Sequence, residues 1–348
     1  MKSPLKPLSR RFRQEQALRG SKGLGTCAPS ANLSKAVADR ACSLAREQAL
    51  FGMCRAAACA AAAGPEEQRM FIKTDVDLDL TLVRSAQAFH WYFDGREYVG
   101  HAGGNPALII PGEEGFEIIS PLEDVAFWRD YFDLGRDYAA LKPICDRDEY
   151  LKKSYDELHG LHVLNQPVWD TLVTFIISAN NNVARIRALV MKLCAALGEK
   201  RVLEGIEISL FPTPEALAGA SVELLRGMGM GYRAPYLIES ARSVADGYDL
   251  NELRALPYEQ AHKRLLQLKG VGPKVADCVL LFGCRHSLAF PVDVWMERAM
   301  QNYMPGCTNR AELKRCAQRQ WGEDAGILQQ YLFHAARMGI ITTGESQE

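Results

Sequence analysis

The chain has 348 residues, 48% of them hydrophobic and 24% charged, the proportions of an ordinary globular protein with room for two or three domains. It contains no run of 18 or more apolar residues, which excludes a long apolar membrane span, and its opening residues, MKSPLKPLSRR, lack the compact apolar core of a secretory signal. The formal net charge of −1 conceals an imbalance: residues 1–69 hold 12 Lys+Arg against 5 Asp+Glu, whereas 70–348 hold 29 against 37. Binding to a polyanion therefore needs a local basic patch or backbone amides, not overall basicity.

In chain order, residues 1–69 mix basic residues, Ser, Gly and the alanine-rich run CRAAACAAAAGP. They read as a largely disordered extension with one helix over 33–62, the folded protein starting near Met70. The arginine-rich, acid-poor composition also fits a transit peptide. From 70 to 120 the apolar period is two, in MFIKTDVDLDL and in AFHWYFDGREYVGHAGGNPALIIPGEEGFEII. Asp94-Gly95 is a hairpin signal, and Gly103-Gly104-Asn105 is a second turn. This predicts an antiparallel sheet of four or five strands. After 120 the spacing is helical to the end, as in PVWDTLVTFIISA, VARIRALVMKLCAAL, RAPYLIESARSVA and PKVADCVLLFGC. The expected fold class is α+β: a sheet domain over 70–155, a helical body over 156–340 and a tail over 341–348. The ten cysteines show no pairs at zinc spacing and read as reduced, mostly buried thiols.

One stretch carries chemistry. LKGVGPKVADC, residues 268–278, runs a helix end into Gly270-Val271-Gly272, then Pro273 and Lys274 at the start of an apolar helix. The glycines permit a sharp turn, and the amides opening the second helix form an anion site suited to a phosphate. Pro273 fits the first helical position, where no amide bond is lost. Lys274 sits against the positive helix end and, when unprotonated, is a nucleophile able to form a Schiff base. A plain packing corner with a solvated lysine would show the same residues. The run FPVDVWMERAM adds Asp293, placed as the cap of a further helix. An amine and a carboxylate beside a phosphate-binding hairpin point to chemistry at a sugar C1′.

LKGVGPKVADCVLL and FPVDV together resemble the signature of the helix-hairpin-helix DNA glycosylase superfamily, with the hairpin at about 258–284. Within it the chain is most similar to the 8-oxoguanine DNA glycosylase/AP lyase family, from about residue 75 to 340. The resemblance implies a bifunctional enzyme that flips 8-oxoguanine out of duplex DNA opposite cytosine, with Lys274 attacking C1′ and Asp293 stabilising the developing positive charge. It implies that Asn180 of ISANNNVARI fills the vacated space, and that Arg185, Tyr232 and Arg233 contact the estranged cytosine. Gln329 and Phe333, four apart on the helix AGILQQYLFHAAR, would hold the flipped base with Cys278 opposite. The backbone carbonyl of Ala86, where the family usually has glycine, would accept from N7–H of the oxidised base, an N–H that guanine lacks. His90 replaces a usual arginine, and Trp295 stands where some members have histidine, departures closer to the bacterial branch than the animal one. The resemblance implies no metal or other cofactor, a monomer acting on DNA without an obligate protein partner or membrane, and a place at the nucleoid, or in the nucleus or mitochondrion of a eukaryote. Two alternatives stay open: an endonuclease III-like glycosylase for oxidised pyrimidines, against which the cysteine spacing and the N-terminal sheet speak, and a non-catalytic helix-hairpin-helix DNA-binding module.

Overall fold

The computed structural model describes residues 67–304, 306, 307 and 309–342. The expectations for residues 1–66, including the helix over 33–62, and for most of the tail lie outside the described residues. Strands β1 (Gln68–Lys73), β2 (Tyr92–Phe93), β3 (Tyr98–Ala102), β4 (Asn105–Pro111) and β5 (Gly115–Ser120) form one antiparallel sheet in the order β1-β5-β4-β3-β2. β1 thus begins two residues before the expected Met70. Gly103 and Gly104 join β3 to β4, with Ala102 opposite Asn105. Both adopt left-handed φ, +57° and +76°, as a two-residue turn of this hand requires. The Asp94-Gly95 hairpin is wider than its dipeptide: Phe93 pairs with Tyr98, and Asp94 Oδ1 accepts from the amides of Arg96 and Glu97.

Period-two patterning gives the sheet two apolar faces. Ile109 and Ile118 pack with Trp128, Tyr131 and Phe132, at and just after helix α1 (Val125–Tyr131). Val99, Leu108 and Ile119 pack with Leu203, Ile208 and Leu210. Those partners come from a second hairpin, β6 (Lys200–Leu203) and β7 (Ile206–Ser209), and the segment leading out of it. The expectation that the chain is helical throughout after 120 is therefore corrected: a short hairpin interrupts the helices and covers the sheet.

The alternating DVDLDL is the second correction. β1 ends at Lys73, where its pairing with Gly115 stops. Asp77 Oδ1 then accepts from Leu80 N at 2.9 Å, and residues Asp79–Arg84 form a wide helical turn. A side chain that bonds the backbone locally gives a chain without a ladder partner an alternative to the strand.

The body consists of α2 (Lys142–Cys145), α3 (Glu149–Glu157), α4 (Val168–Ser178), α5 (Val183–Leu197), α6 (Pro214–Ala218), α7 (Val222–Gly227), α8 (Arg233–Ala245), α9 (Tyr258–Leu265), α10 (Pro273–Cys284), α11 (Val294–Tyr303), α12 (Arg310–Trp321) and α13 (Ala325–Met338). Half of these twelve starts are capped by residue types that accept from N3 amides: Asp148, Asn182, Thr213, Ser221, Asp293 and Asn309. α10 is apolar on nearly every face and packs along α4 at the centre of the body. The same core takes in Ala86 and Phe89, so a segment between β1 and β2 reaches the helical interior.

Candidate active site

The hairpin forms as its sequence dictates. Gly270 has φ +79°, and a Cβ there would lie 2.7 Å from Cβ of Tyr236, so both conformation and packing require glycine. Ser240 Oγ donates to the Lys269 carbonyl at 2.8 Å and fixes the turn against α8. Gly272 is the N-cap of α10, with an ordinary φ of −95°, open space where a Cβ would sit, and no side-chain cap. Nothing among the described residues demands glycine at 272. Its effect is to leave the uncapped first-turn amides of α10 open to a close-approaching acceptor.

Pro273 occupies the first helical position as expected, and Lys274 follows in the same turn. Because α10 packs on α4, the lysine meets α4 side chains. Its Nζ donates to Ser178 Oγ at 3.2 Å and stands 4.9 Å from the centroid of the Phe175 ring. One turn further on, Cys278 is buried, and burial pushes its thiol up to about 12. The charges of Lys274 and Asp293 both act on that sulfur, the lysine lowering its pKa and the aspartate raising it. Lys274, Cys278 and Asp293 therefore share one locality.

Asp293 caps α11, its Oδ1 accepting from Met296 N at 2.9 Å. The bond fixes the carboxylate at the positive end of that helix. Gln329 of α13 is buried, its Nε2 donating to the Pro291 carbonyl at 3.0 Å and its Oε1 accepting from Gln330 Nε2 at 2.7 Å. α13 is thereby tied to the segment that delivers Asp293. Phe333, one turn on, packs against the core, and the Arg337 guanidinium lies 5.4 Å from its ring centroid. Arg337 also donates to the Arg84 carbonyl at 3.3 Å, and its charge faces Asp293. Sequence reasoning missed Arg337. It continues the Gln329–Phe333 spacing by four residues, so the helical period alone would have found it.

Ala86 adopts φ +59°, and no donor among the described residues reaches its carbonyl. Around it Gln87 fixes the chain: Nε2 donates to the carbonyls of Thr81 and His162, and Oε1 accepts from Leu164 N. His90, which stands where the family usually has arginine, is buried and stacked on His101 with ring centroids 4.4 Å apart. A phosphate at the protein surface cannot reach it in this arrangement. Trp295 is 44% exposed, beside the exposed Val294.

The three asparagines divide their work. Asn182 caps α5 by accepting from Arg185 N, and Asn181 Nδ2 donates to the Ile177 carbonyl. Asn180, exposed and left-handed at φ +50°, makes no side-chain hydrogen bond among the described residues. Arg185 is exposed and donates to the Gly229 carbonyl at 3.2 Å. Tyr232 is 51% exposed, its hydroxyl donating to the Ala179 carbonyl at 3.1 Å. Arg233 differs from its neighbours: it is only 4% exposed and donates to the carbonyls of Ala179, Asn180 and Met230. Its donors serve the turn that carries Asn180, and four of its five N–H groups are already engaged there.

Residues 70–172 match the family described as 8-oxoguanine DNA glycosylase, N-terminal domain, and residues 173–320 match the HhH-GPD superfamily base excision DNA repair protein. The chain is 35% identical over 216 residues to the probable N-glycosylase/DNA lyase of Methanothermobacter thermautotrophicus, spanning 56% of this chain and 69% of that one. It is 30% identical over 289 residues to the N-glycosylase/DNA lyase OGG1 of Arabidopsis thaliana, spanning 75% and 78% respectively. Among solved structures it is similar to Clostridium acetobutylicum 8-oxoguanine glycosylase/lyase in complex with double-stranded DNA containing cytosine opposite 8-oxoG. The TM-score is 0.72 at 30% identity, covering 78% of this chain and 99% of that one. With the sheet and the helical body both matched, the chain belongs to the 8-oxoguanine DNA glycosylase/AP lyase family of the HhH-GPD superfamily.

Proposed function

We propose that this chain excises 8-oxoguanine opposite cytosine from duplex DNA and then nicks the strand. The observation that carries the reading is the placement of Lys274 at the open first turn of α10, hydrogen-bonded to Ser178, in one locality with the capped Asp293. The first-turn amides receive a backbone phosphate, which sets the lysine against a nearby sugar. Its amine attacks C1′ as the bond from C1′ to the base nitrogen breaks, and Asp293 stabilises the positive charge that develops on the sugar. The resulting Schiff base allows β-elimination 3′ to the lesion. Gln329, Phe333 and Cys278 hold the extruded base, and the free Ala86 carbonyl accepts from N7–H. Gln329 has one donor and one acceptor site left after its internal bonds. Asn180, Arg185 and Tyr232 stand at the vacated position, with Arg233 behind them.

The sheet, with the segments that flank it, and the helical body act together as a monomer wherever the cell keeps its DNA, the division expected at 155 falling within helices that pack in the core of the body. The N-terminal match to an 8-oxoguanine glycosylase domain favours this over an endonuclease III-like substrate.

Borohydride trapping tests it. A duplex with one 8-oxoguanine opposite cytosine is expected to form a covalent complex with the wild-type chain, none with Lys274→Gln, and none when guanine replaces the lesion. An adduct on an oxidised-pyrimidine duplex instead would keep the mechanism and move the substrate. Binding without any adduct would leave only a DNA-binding hairpin.

A further inference from the structure

Six cysteines lie among the described residues, and four of them, Cys145, Cys194, Cys278 and Cys284, are buried. The other two differ in every respect that governs thiol chemistry. Cys307, in the turn between α11 and α12, and Cys316, on α12, are partly exposed, with sulfurs 2.7 Å apart. That is little more than the roughly 2.05 Å of a disulfide bond. Cys307 donates to the Cys316 sulfur, which also accepts from Arg319 Nη2 at 3.4 Å. They line an open surface recess with Gly306, Glu312, Arg315 and Arg319.

We propose that Cys307 and Cys316 are a peroxide-responsive dithiol, with Cys316 the thiol attacked first and Cys307 the resolving thiol. The local chemistry supports this order. Two donors converge on the Cys316 sulfur, Cys307 first and Arg319 second, and they hold its thiol below the ordinary value. Burial pushes Cys145, Cys278 and Cys284 up to about 12, away from reactivity. In the first step Cys316 gives up its proton and the thiolate attacks one oxygen of hydrogen peroxide; the O–O bond breaks, a sulfenic acid forms, and the departing hydroxide takes up the released proton to leave as water. In the second step the Cys307 sulfur attacks the Cys316 sulfur, the S–O bond breaks, and its hydroxyl leaves as a second water with the Cys307 proton. Two thiols are oxidised to one disulfide and one peroxide is reduced to two waters, with no other reactant.

The bond would close the α11–α12 turn. Arg310 already ties the start of α12 to Glu297 of α11 through two hydrogen bonds, at 2.9 and 2.8 Å. α12 in turn holds the helix of Lys274: Lys314 Nζ donates to both carboxylate oxygens of the buried Asp277 at 2.9 Å. A dithiol on this helix would fasten the scaffold of the active site under the oxidising conditions that generate 8-oxoguanine. Only this biological meaning rests on the proposed substrate; the thiol chemistry stands without it.

The test uses the full chain, reduced and then treated with hydrogen peroxide, alkylated, digested and mapped by mass spectrometry. The expected product is a peptide pair joined through Cys307 and Cys316, lighter by two hydrogens and separated again by dithiothreitol. Oxidation at Cys316 should run at least tenfold faster than at any of the four buried cysteines, and Arg319→Ala should slow it several-fold. Cys307→Ser should halt the reaction at a Cys316 sulfenic acid that dimedone captures, and Cys316→Ser should leave Cys307 reduced. The oxidised wild-type chain should melt a few degrees higher than the reduced one, the shift expected for a short closed loop. Full alkylation of both residues after peroxide overturns the proposal, as does a wild-type sulfenic acid that never becomes a disulfide. Either result leaves borohydride trapping untouched, so the two readings fail separately.

Discussion

Ala86 holds φ +59° with a methyl group where the resembling family usually has glycine. An L-residue in this region costs roughly 1–2 kcal/mol, a price the fold sustains because Gln87 fixes the next residue on three sides. Glycine would remove the strain, but it would also lose a buried methyl, about 0.8 kcal/mol, and add unfolded-chain entropy of about 0.5–1 kcal/mol. These opposed contributions nearly cancel. Ala86→Gly is therefore expected to lie within about 1 kcal/mol of wild type in chemical denaturation, whereas Ala86→Val, β-branched and buried, should lose about 2 kcal/mol or more. Equal stability of all three variants would show that the left-handed conformation is not held in solution. The neighbouring chemistry gives a second residue-scale expectation. Asp293→Asn keeps an oxygen able to accept from Met296 N, so the cap and the fold persist while the carboxylate charge is gone. Base excision should fall about 10²-fold or more with little change in DNA affinity, measured by single-turnover kinetics and by binding. Equal losses in binding and rate would assign Asp293 to the scaffold alone.

At the scale of elements, the turn between α4 and α5 shows how a buried charge can shape a surface loop. Arg233 sends donors to three carbonyls, two of them on Ala179 and Asn180, and its planar fork reaches them together. Lysine keeps the charge but not the fork. Arg233→Lys should cost about 2 kcal/mol of stability, read by denaturant midpoint, and weaken binding to lesion duplex by releasing Asn180. If Arg233 instead serves only an estranged base, affinity falls and stability does not. The sequence announced this turn only in part: three asparagines in a row signalled something beyond a cap, and Asn182 and Asn181 indeed account for the local needs. That Arg233 lies beneath the turn depends on how α8 packs, which local spacing does not encode. Long helices and glycine hairpins were legible because their periods and turn residues are strong local signals. The β6–β7 hairpin was not, since its strands are four residues each and carry Lys200, Arg201 and Glu207 among the apolar positions. Glu204-Gly205 between two alternating runs was the available clue. DVDLDL misled in the opposite sense: its alternation is real, but Asp77 bonds locally and the β1–β5 register ends at Lys73.

For the whole molecule, the interior holds histidines that its stability must carry. His90 and His101 stack between the sheet and Phe211, and His90 Nε2 and both His101 ring nitrogens have no hydrogen-bond partner. Burial lowers His90 from 6.5 to about 4, and the Arg187 charge acts in the same direction, against a hydrogen bond with the His101 backbone. His101 is lowered as well, by burial first and then by His90. A histidine with a depressed folded value stays neutral in the fold while the unfolded chain takes up a proton. Its contribution to stability is complete above the unfolded value and is lost as pH falls from about 6.5 to about 4, to an extent of roughly 3 kcal/mol for His90. Asp170 acts in the opposite sense, because burial raises it to about 7. The fold keeps its proton while the unfolded chain releases it, so that contribution declines as pH rises from about 4 to 7. The stability curve of the wild-type chain is thus a sum of opposing slopes and identifies neither group. Subtraction does: His90→Phe keeps a ring against His101 and removes one titration. Guanidinium unfolding of both chains between pH 4.5 and 7 should show wild type losing about 2–3 kcal/mol relative to the variant as pH falls. A difference independent of pH would mean that the fold admits the His90 proton as readily as the unfolded chain does.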